Sequence, residues 1–263
     1  MTMRSTLALM TCVATLTACG VDVQDQRHTT TGAAVDDVDR PGERRDAAEC
    51  NELPDRSRLR ELLREAPGKG EVGGLAGGRY QWAAVVDRNG VLCAVAASTD
   101  DPAAVWPGSL GVAKGKAFTA NAYSSDETPL STARLYTLSQ PGHSLWGIAA
   151  ANPLHPDCLR RPGDDGDVGR VCGGTIAFGG GVALYRGNTK VGALGVSGDT
   201  ACVDHELAKR MREAAGFAPA AGNGVDDIVY AGVDGPSVWA HPLCANTWRN
   251  GKKVGDETPS SGY

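Results

Sequence analysis

No two of the eight cysteines stand in C-x-x-C spacing, and their separations fit no zinc module. A metal-stapled small fold is therefore not the first reading. After the first eighteen residues no apolar run is long enough to cross a bilayer, so the sequence offers no helical span in the rest of the chain. Basic residues do not cluster, and the formal charge of −5 makes the chain a poor partner for nucleic acid. Enzyme signatures are incomplete. Gly195-Val196-Ser197-Gly198 stops short of a nucleophile elbow because Asp199 stands where G-x-S-x-G requires glycine. The run Gly173 to Gly181 is rich in glycine, yet no Lys-Ser or Lys-Thr follows to complete a phosphate loop. Asp164, Asp165 and Asp167 lack the glycine and glutamate of a calcium hand. These gaps count against a dedicated hydrolase or kinase and leave a binding module as the leading expectation.

What is present centres on Phe178 to Gly216. Gly187-Asn188 lies between two apolar runs and predicts a two-residue hairpin turn, in which a central residue takes positive φ. That turn predicts Leu184 facing Val191 and Val182 facing Ala193 on one side, with Tyr185, Lys190, Leu194 and Val196 on the other. Both faces are largely apolar, so both need covering. After Ser197-Gly198 the period changes to that of a helix, with Val203, Leu207, Met211 and Ala214 as one stripe. Asp199 or Thr200 can cap it, Asp204 and Glu206 suit its positive end, and Gly216 sits where a left-handed terminator belongs.

This run, with AAVVDRNGVLCAVAA and VAKGKAFTANAY upstream, resembles the GlcG/HbpS family, related to the carboxy-terminal domain of the PduO type and described as haem-binding or haem-degrading. The similarity covers roughly Tyr80 to Gly216. It implies an α/β domain of the α+β type, with a central, mainly antiparallel sheet of about five strands and helices on both faces. It further implies haem or another tetrapyrrole as ligand. A non-catalytic interaction or assembly module of the cell envelope and a weak haem-degrading enzyme are the alternatives, and homo-oligomerisation fits each.

The N-terminus reads as a secretory leader over residues 1–18, with Arg4 before an apolar run, and Leu16-Thr17-Ala18-Cys19 resembles a bacterial lipobox that would make Cys19 the acylated first residue. Gly20 after it resembles the outer-membrane sorting pattern. Loss of Arg4 with the leader moves the formal charge to −6. Residues 19–48 lack apolar period and aromatic residues from Val21 onward and read as a disordered tether. Residues 49–249 form one domain, and residues 250–263 a flexible tail. The six remaining cysteines are an even set suited to an oxidising compartment, with fifteen pairings available. Cys158 and Cys172, flanking a Gly/Asp/Arg-rich loop, are the easiest pair to close; Cys202 at a helix start can hold Cys244, leaving Cys50 for Cys93.

Elsewhere the pattern predicts a short helix from Pro54 to Arg64 with Leu59, Leu62 and Leu63 inward, a hairpin over Asn89-Gly90, and a small-residue helix from Ser109 to Tyr123. Thr128-Pro129 predicts a further helix ending before Pro141-Gly142. Ser144 to Asn152 reads as a strand edge or turn under the core, and Asp226 to Ala231 as a last strand.

A haem site needs an iron ligand and a flat apolar slot. Among His143, His155, His205 and His241, His143 is the candidate metal ligand, because Leu145 and Trp146 follow it. By the resemblance, the lysine-bearing helix and the closing hairpin lie close together, and both present small residues. Gly179, Gly180 and Gly181 then either line a slot or let backbones touch. In the slot reading Trp146 and Phe178 are the apolar wall and Lys116 is the counter-charge.

Overall fold

The computed structural model describes residues 48–159 and 168–258. Cys19, the leader, most of the tether and Asp164, Asp165 and Asp167 lie outside them. The elements are α1 (Arg56–Glu65), β1 (Trp82–Asp87), β2 (Leu92–Ala97), α2 (Ser109–Tyr123), α3 (a single turn, Ile148–Ala151), β3 (Gly181–Arg186), β4 (Thr189–Ser197), α4 (Ala201–Ala214), β5 (Val229–Tyr230), β6 (Ala240–His241), β7 (Thr247–Arg249) and β8 (Lys252–Gly255).

Two hairpins make one antiparallel sheet in the order β2-β1-β4-β3. Gly90 and Gly187 turn them at φ of 83° and 61°, conformations that cost glycine little. The first turn is tightened by Asp87, whose carboxylate accepts from the amides of Asn89 and Val91, both at 2.9 Å. The sheet has four strands rather than about five. The expected strand at Asp226 to Ala231 shrinks to β5, which pairs in parallel with β6 away from the main sheet.

The register of the second hairpin is corrected. Tyr185 does face Lys190, but a bulge after Leu184 leaves Val191 unpaired, so Leu184 faces Gly192 and Val182 faces Leu194. One extra residue moves side chains to the other face. Leu194 and Val196 therefore join Val182 and Leu184 against Val203, Leu207 and Met211 of α4 and Leu59, Leu62 and Leu63 of α1. Ala193, with Ala84 and Val86, faces Ala113, Ala117 and Ala120 of α2. Both sheet faces are thus covered by helices.

Local signals place the flanking helices. Asp55 caps α1 by accepting from the Arg58 amide at 2.8 Å, and Thr200 caps α4 by accepting from the Val203 amide. Gly216 follows α4 at φ 78°. Asp199 does not cap α4. Its carboxylate gathers the amides of Leu75, Ala76 and Gly78 at 2.8, 2.9 and 3.2 Å and so fixes the glycine-rich loop before β1. At the far end of α2 the Lys190 ammonium donates to the carbonyls of Asn121 and Ser124 at 2.6 and 3.0 Å, satisfying acceptors a helix leaves free.

Three expectations fail outside the sheet. The helix predicted to start at Thr128-Pro129 and end before Pro141 is two 3-10 turns, Thr132–Leu135 and Thr137–Ser139. Hydroxyls decide this, because Ser131, Thr132 and Thr137 donate to the carbonyls of Asp226, Phe178 and Ala240 and tie the segment to distant chain. Ser144 to Asn152 is not under the core: it is a surface stretch broken by Gly147 at φ 82° before the single turn α3. The tail expected from residue 250 holds a hairpin instead, since β7 and β8 pair over Asn250-Gly251, with φ of 52° and 74° as a type I′ turn needs.

The segment after α4 is fastened back onto it. Arg212 and Asp226, both fully buried, pair through two nitrogens at 2.7 and 3.1 Å, and Lys209 meets Asp227 at 2.6 Å. Disulfides join Cys50 to Cys93, Cys158 to Cys172, and Cys202 of α4 to Cys244 of this segment. Among the described residues no helix is long and apolar enough to cross a membrane.

Candidate functional site

Small residues bring α2 against β3 and β4. A Cβ on Gly195 would stand 2.1 Å from the carbonyl oxygen of Ala113 and 2.5 Å from the amide of Ala117. One on Gly181 would stand 2.5 Å from the Lys116 carbonyl, and one on Gly179 would stand 2.4 Å from that of Ala201. Of the two readings of the small residues, the structure takes backbone contact. No slot separates these elements.

Lys116 points from α2 into this contact and is wholly buried. Its ammonium lies 2.7 Å from Asp204 of α4, donates to the Val196 carbonyl at 3.0 Å, and stands 4.9 Å from the centre of the Phe178 ring. Burial pushes the Asp204 carboxyl up to about 6 and pushes the lysine down, and each charge partly offsets the effect on the other. The lysine is already matched. It holds no charge in reserve for a ligand carboxylate, which corrects the counter-charge role expected of it.

Two of the three glycine amides are likewise committed. The Gly179 amide donates to Nε2 of His241 at 3.3 Å, and the Gly181 amide to the hydroxyl of Thr132 at 2.9 Å. Gly180, at φ 124°, gives its carbonyl to the Val196 amide, and a Cβ there would meet Lys116 Nζ and the Val196 oxygen at 2.6 Å. Lys116, Phe178 and Gly179 to Gly181 thus come together, as a packed polar joint rather than a pocket. His143 and Trp146 belong to a different place.

That place is the surface stretch between the second 3-10 turn and α3. His143 is exposed, and its ring has no hydrogen-bond partner or ion pair among the described residues, while Trp146, three residues on, is 65 % exposed. Leu145 and Ile148 of the same stretch are half-buried. Of the other histidines of the described residues, two are hydrogen-bonded and His205 is buried with neither ring nitrogen hydrogen-bonded. His155 accepts from the Asp157 amide, buried His205 lies 3.3 Å from Asp227, and buried His241 sits between Gly179 and the Pro242 carbonyl.

Three open cavities are large enough to compare with the demands of a tetrapyrrole. Two of them, about 500 and 480 Å³, are lined by Asp126, Glu127, Tyr185 and Pro219, and by Glu71, Gly73, Arg79 and Asn246 respectively. The first sets two carboxylates against a dianionic ligand, and neither offers a histidine. A third, about 340 Å³ beside Glu49, Glu52, Arg88 and Lys190, lacks one too. These three cavities therefore offer no histidine to an iron.

Sequence reasoning missed Asp204, His241 and Thr132 as organisers of the joint. The available signal was Lys116 itself. A lysine between Ala113, Ala117 and Ala120 on a helix face made for close packing requires a buried carboxylate partner.

The fold and the packed joint define a class: a small α+β domain with an antiparallel sheet, a small-residue helix on one face and a buried lysine–aspartate pair. A family described as "Haem degrading protein HbpS-like" matches residues 76–213, just over half of the chain, and the chain belongs to that family. Among solved structures it is similar to a PduOC:heme complex at 24 % identity and TM-score 0.42, covering 60 % of this chain and 89 % of that one. It is similar also to the Klebsiella pneumoniae protein ORFY, at 19 % identity and TM-score 0.42 with 67 % and 94 % covered. HbpS follows at 20 % identity and TM-score 0.38 with 66 % and 92 % covered. No curated protein matches the chain.

Proposed function

We propose that this protein is an extracytoplasmic, lipid-anchored binding protein for haem or another tetrapyrrole, with the ligand held at the surface by His143 and Trp146. The observation that carries the site is the exposed imidazole of His143, without a partner among the described residues, three residues from an indole that is 65 % exposed. Membership of the HbpS-like family supports the ligand. The imidazole of His143 would hold the iron, and the indole of Trp146 would offer an apolar face to the ring. Bound iron would supply the redox chemistry of haem, and this chain's part is to bind and orient it. One wall leaves the opposite face of a flat ring open, and a second copy of the chain laid against the stretch would close it.

Absorbance titration of the mature protein with haemin tests this reading. A saturable Soret shift is expected, reduced at least about tenfold in apparent affinity by His143→Ala and weakened by Trp146→Ala, with stability changed by less than about 0.5 kcal/mol, as for an ordinary surface substitution. A shift that survives both substitutions would place the ligand elsewhere.

The cellular address is part of the proposal. Three disulfides suit an oxidising compartment, and the lipobox at Leu16 to Cys19 supplies the anchor. Cys19→Ser is expected to move the protein from the membrane fraction to the soluble fraction on fractionation. Continued membrane association of that variant would remove the anchor from the proposal.

A further inference from the structure

One cluster of metal-binding side chains lies apart from the surface stretch. Cys202 near the start of α4, Cys244 in the segment that closes over it, and His241 at the end of β6 bring two sulfurs and a ring nitrogen within 4.8 Å of one another, all buried. The sulfurs are joined as a disulfide. We propose that reduction of Cys202–Cys244 converts this cluster into a binding site for a thiophilic divalent cation of the zinc class, held by both thiolates and His241.

The setting is prepared for such a site. Cys202 lies in the first turn of a 14-residue helix, and its amide donates to the Cys244 sulfur at 3.2 Å, so a thiolate there is met by a backbone donor and the positive helix end. His241 is placed by the Tyr136 ring, 5.0 Å away centre to centre, and by the Gly179 amide and Pro242 carbonyl at either side of the imidazole. With Nδ1 held at the Pro242 carbonyl, Nε2 is the ligand atom, and the cation would take the place of the Gly179 amide on it. A dication with two thiolates and a neutral imidazole carries no net charge. That suits surroundings of Ala133, Ile228, Tyr230 and Leu243, where an unpaired charge would be costly.

The reaction balances with a dithiol as reductant. Its two thiols give two electrons and two protons, the Cys202–Cys244 bond breaks to two thiols, and the dithiol leaves as its own disulfide. Metal binding then releases both thiol protons to solvent, forms two metal–sulfur bonds and one metal–nitrogen bond, and leaves a fourth position to water. The site couples the segment after α4 to redox state and metal supply. The disulfide staples it when oxidised, and the cation staples it when reduced.

A second cluster, Cys50, Cys93 and Asp87, is the natural competitor. Its sulfurs are only half-buried, and the Asp87 carboxylate is held by two amides, those of Asn89 and Val91, where His241 Nε2 is held by the Gly179 amide alone. It is the weaker site.

Cobalt and zinc titration of the mature protein distinguishes them, with a phosphine reductant so that added thiol does not compete for metal. The reduced protein is expected to take up one equivalent of Co²⁺ with a thiolate-to-cobalt charge-transfer band, displaced by Zn²⁺, while the oxidised protein shows none. His241→Ala should weaken binding by at least the roughly 10- to 100-fold that loss of an outer-shell partner costs. Zn²⁺ should protect Cys202 and Cys244 from iodoacetamide while Cys50 and Cys93 are alkylated, as mapped by peptide mass spectrometry. Protection of Cys50 and Cys93 instead, a cobalt spectrum indifferent to His241→Ala, or a reduced chain that unfolds and is not restored by Zn²⁺ each overturns the proposal. Cys202→Ser with Cys244→Ser, compared by circular dichroism, reports whether the fold survives without the bridge.

Discussion

Lys116→Met is expected to lower the free energy of unfolding by about 3–5 kcal/mol, the usual cost of removing one partner of a buried ion pair. The pair is formed at 2.7 Å with both side chains removed from water, and among the described residues no other cation pairs with Asp204 to take the place of the ammonium. Asp204→Leu added to Lys116→Met is expected to recover most of the loss, because two apolar groups leave no buried charge behind. Denaturant midpoints for the two singles and the double form a cycle that isolates the coupling. The pH dependence has a definite sign. The folded pKa of Asp204, about 6, lies above its ordinary 3.8, so its contribution is fully present below about pH 4 and is lost as pH rises through 6. In Lys116→Met the lowering influence of the ammonium is gone, the folded pKa climbs further, and the window widens upward. The variant should therefore be closest to wild type near pH 4 and furthest from it above pH 7. A Lys116→Met protein as stable as the wild type at pH 7 would mean the lysine is bystander rather than partner.

Much of this architecture is legible in the chain because local chemistry and tertiary need agree there. Asn89-Gly90 and Gly187-Asn188 specify tight turns, Thr200 and Gly216 bracket a helix, and Leu59, Leu62 and Leu63 define its neighbour's inner face. Where reading fails, the deciding partner is far away in sequence. The 3-10 turns at 132–139 owe their shape to carbonyls of Phe178, Asp226 and Ala240, which no window around Thr132 contains. The bulge after Leu184, where Val191 has no partner on β3, carries no signal in the turn dipeptide itself. The Asn250-Gly251 hairpin is the exception, since the same dipeptide that marks the first hairpin marks this one, within a stretch whose polarity resembles that of a frayed end.

The site is less legible than the fold for a related reason. Lysine, glycine and aromatic residues near one another in a fold have two readings, a pocket or a joint, and only distances separate them. Here Lys116 is matched by Asp204 and the glycines by backbone, so the residues that do come together are the ones that hold the domain together. His143 and Trp146, expected to line a slot inside the domain, lie on its surface instead. That separation gives binding and stability different residues, and hence different tests.

Gly195→Val is accordingly expected to be among the most damaging single substitutions, costing at least about 3 kcal/mol, the upper end of the range for overpacked cores. Its first new carbon would stand 2.1 Å from the Ala113 oxygen and 2.5 Å from the Ala117 nitrogen, atoms of a helix backbone that no rotamer change can move aside. Relief requires α2 to lift from the sheet, which pulls Lys116 from Asp204 and opens the alanine seam against β1 and β4. Gly180→Val faces the same kind of obstruction at 2.6 Å, with the added strain of a β-branched residue at φ 124°. Both variants should lose cooperative thermal unfolding, or show strongly lowered midpoints, at haemin concentrations too low to matter, and lose haemin binding only because the fold is lost. His143→Ala should do the reverse. The paired measurement is a thermal melt and a haemin titration on each variant. A folded Gly180→Val protein that has lost only its ligand would mean that the joint opens into a slot, and the surface site at His143 would then have to be abandoned.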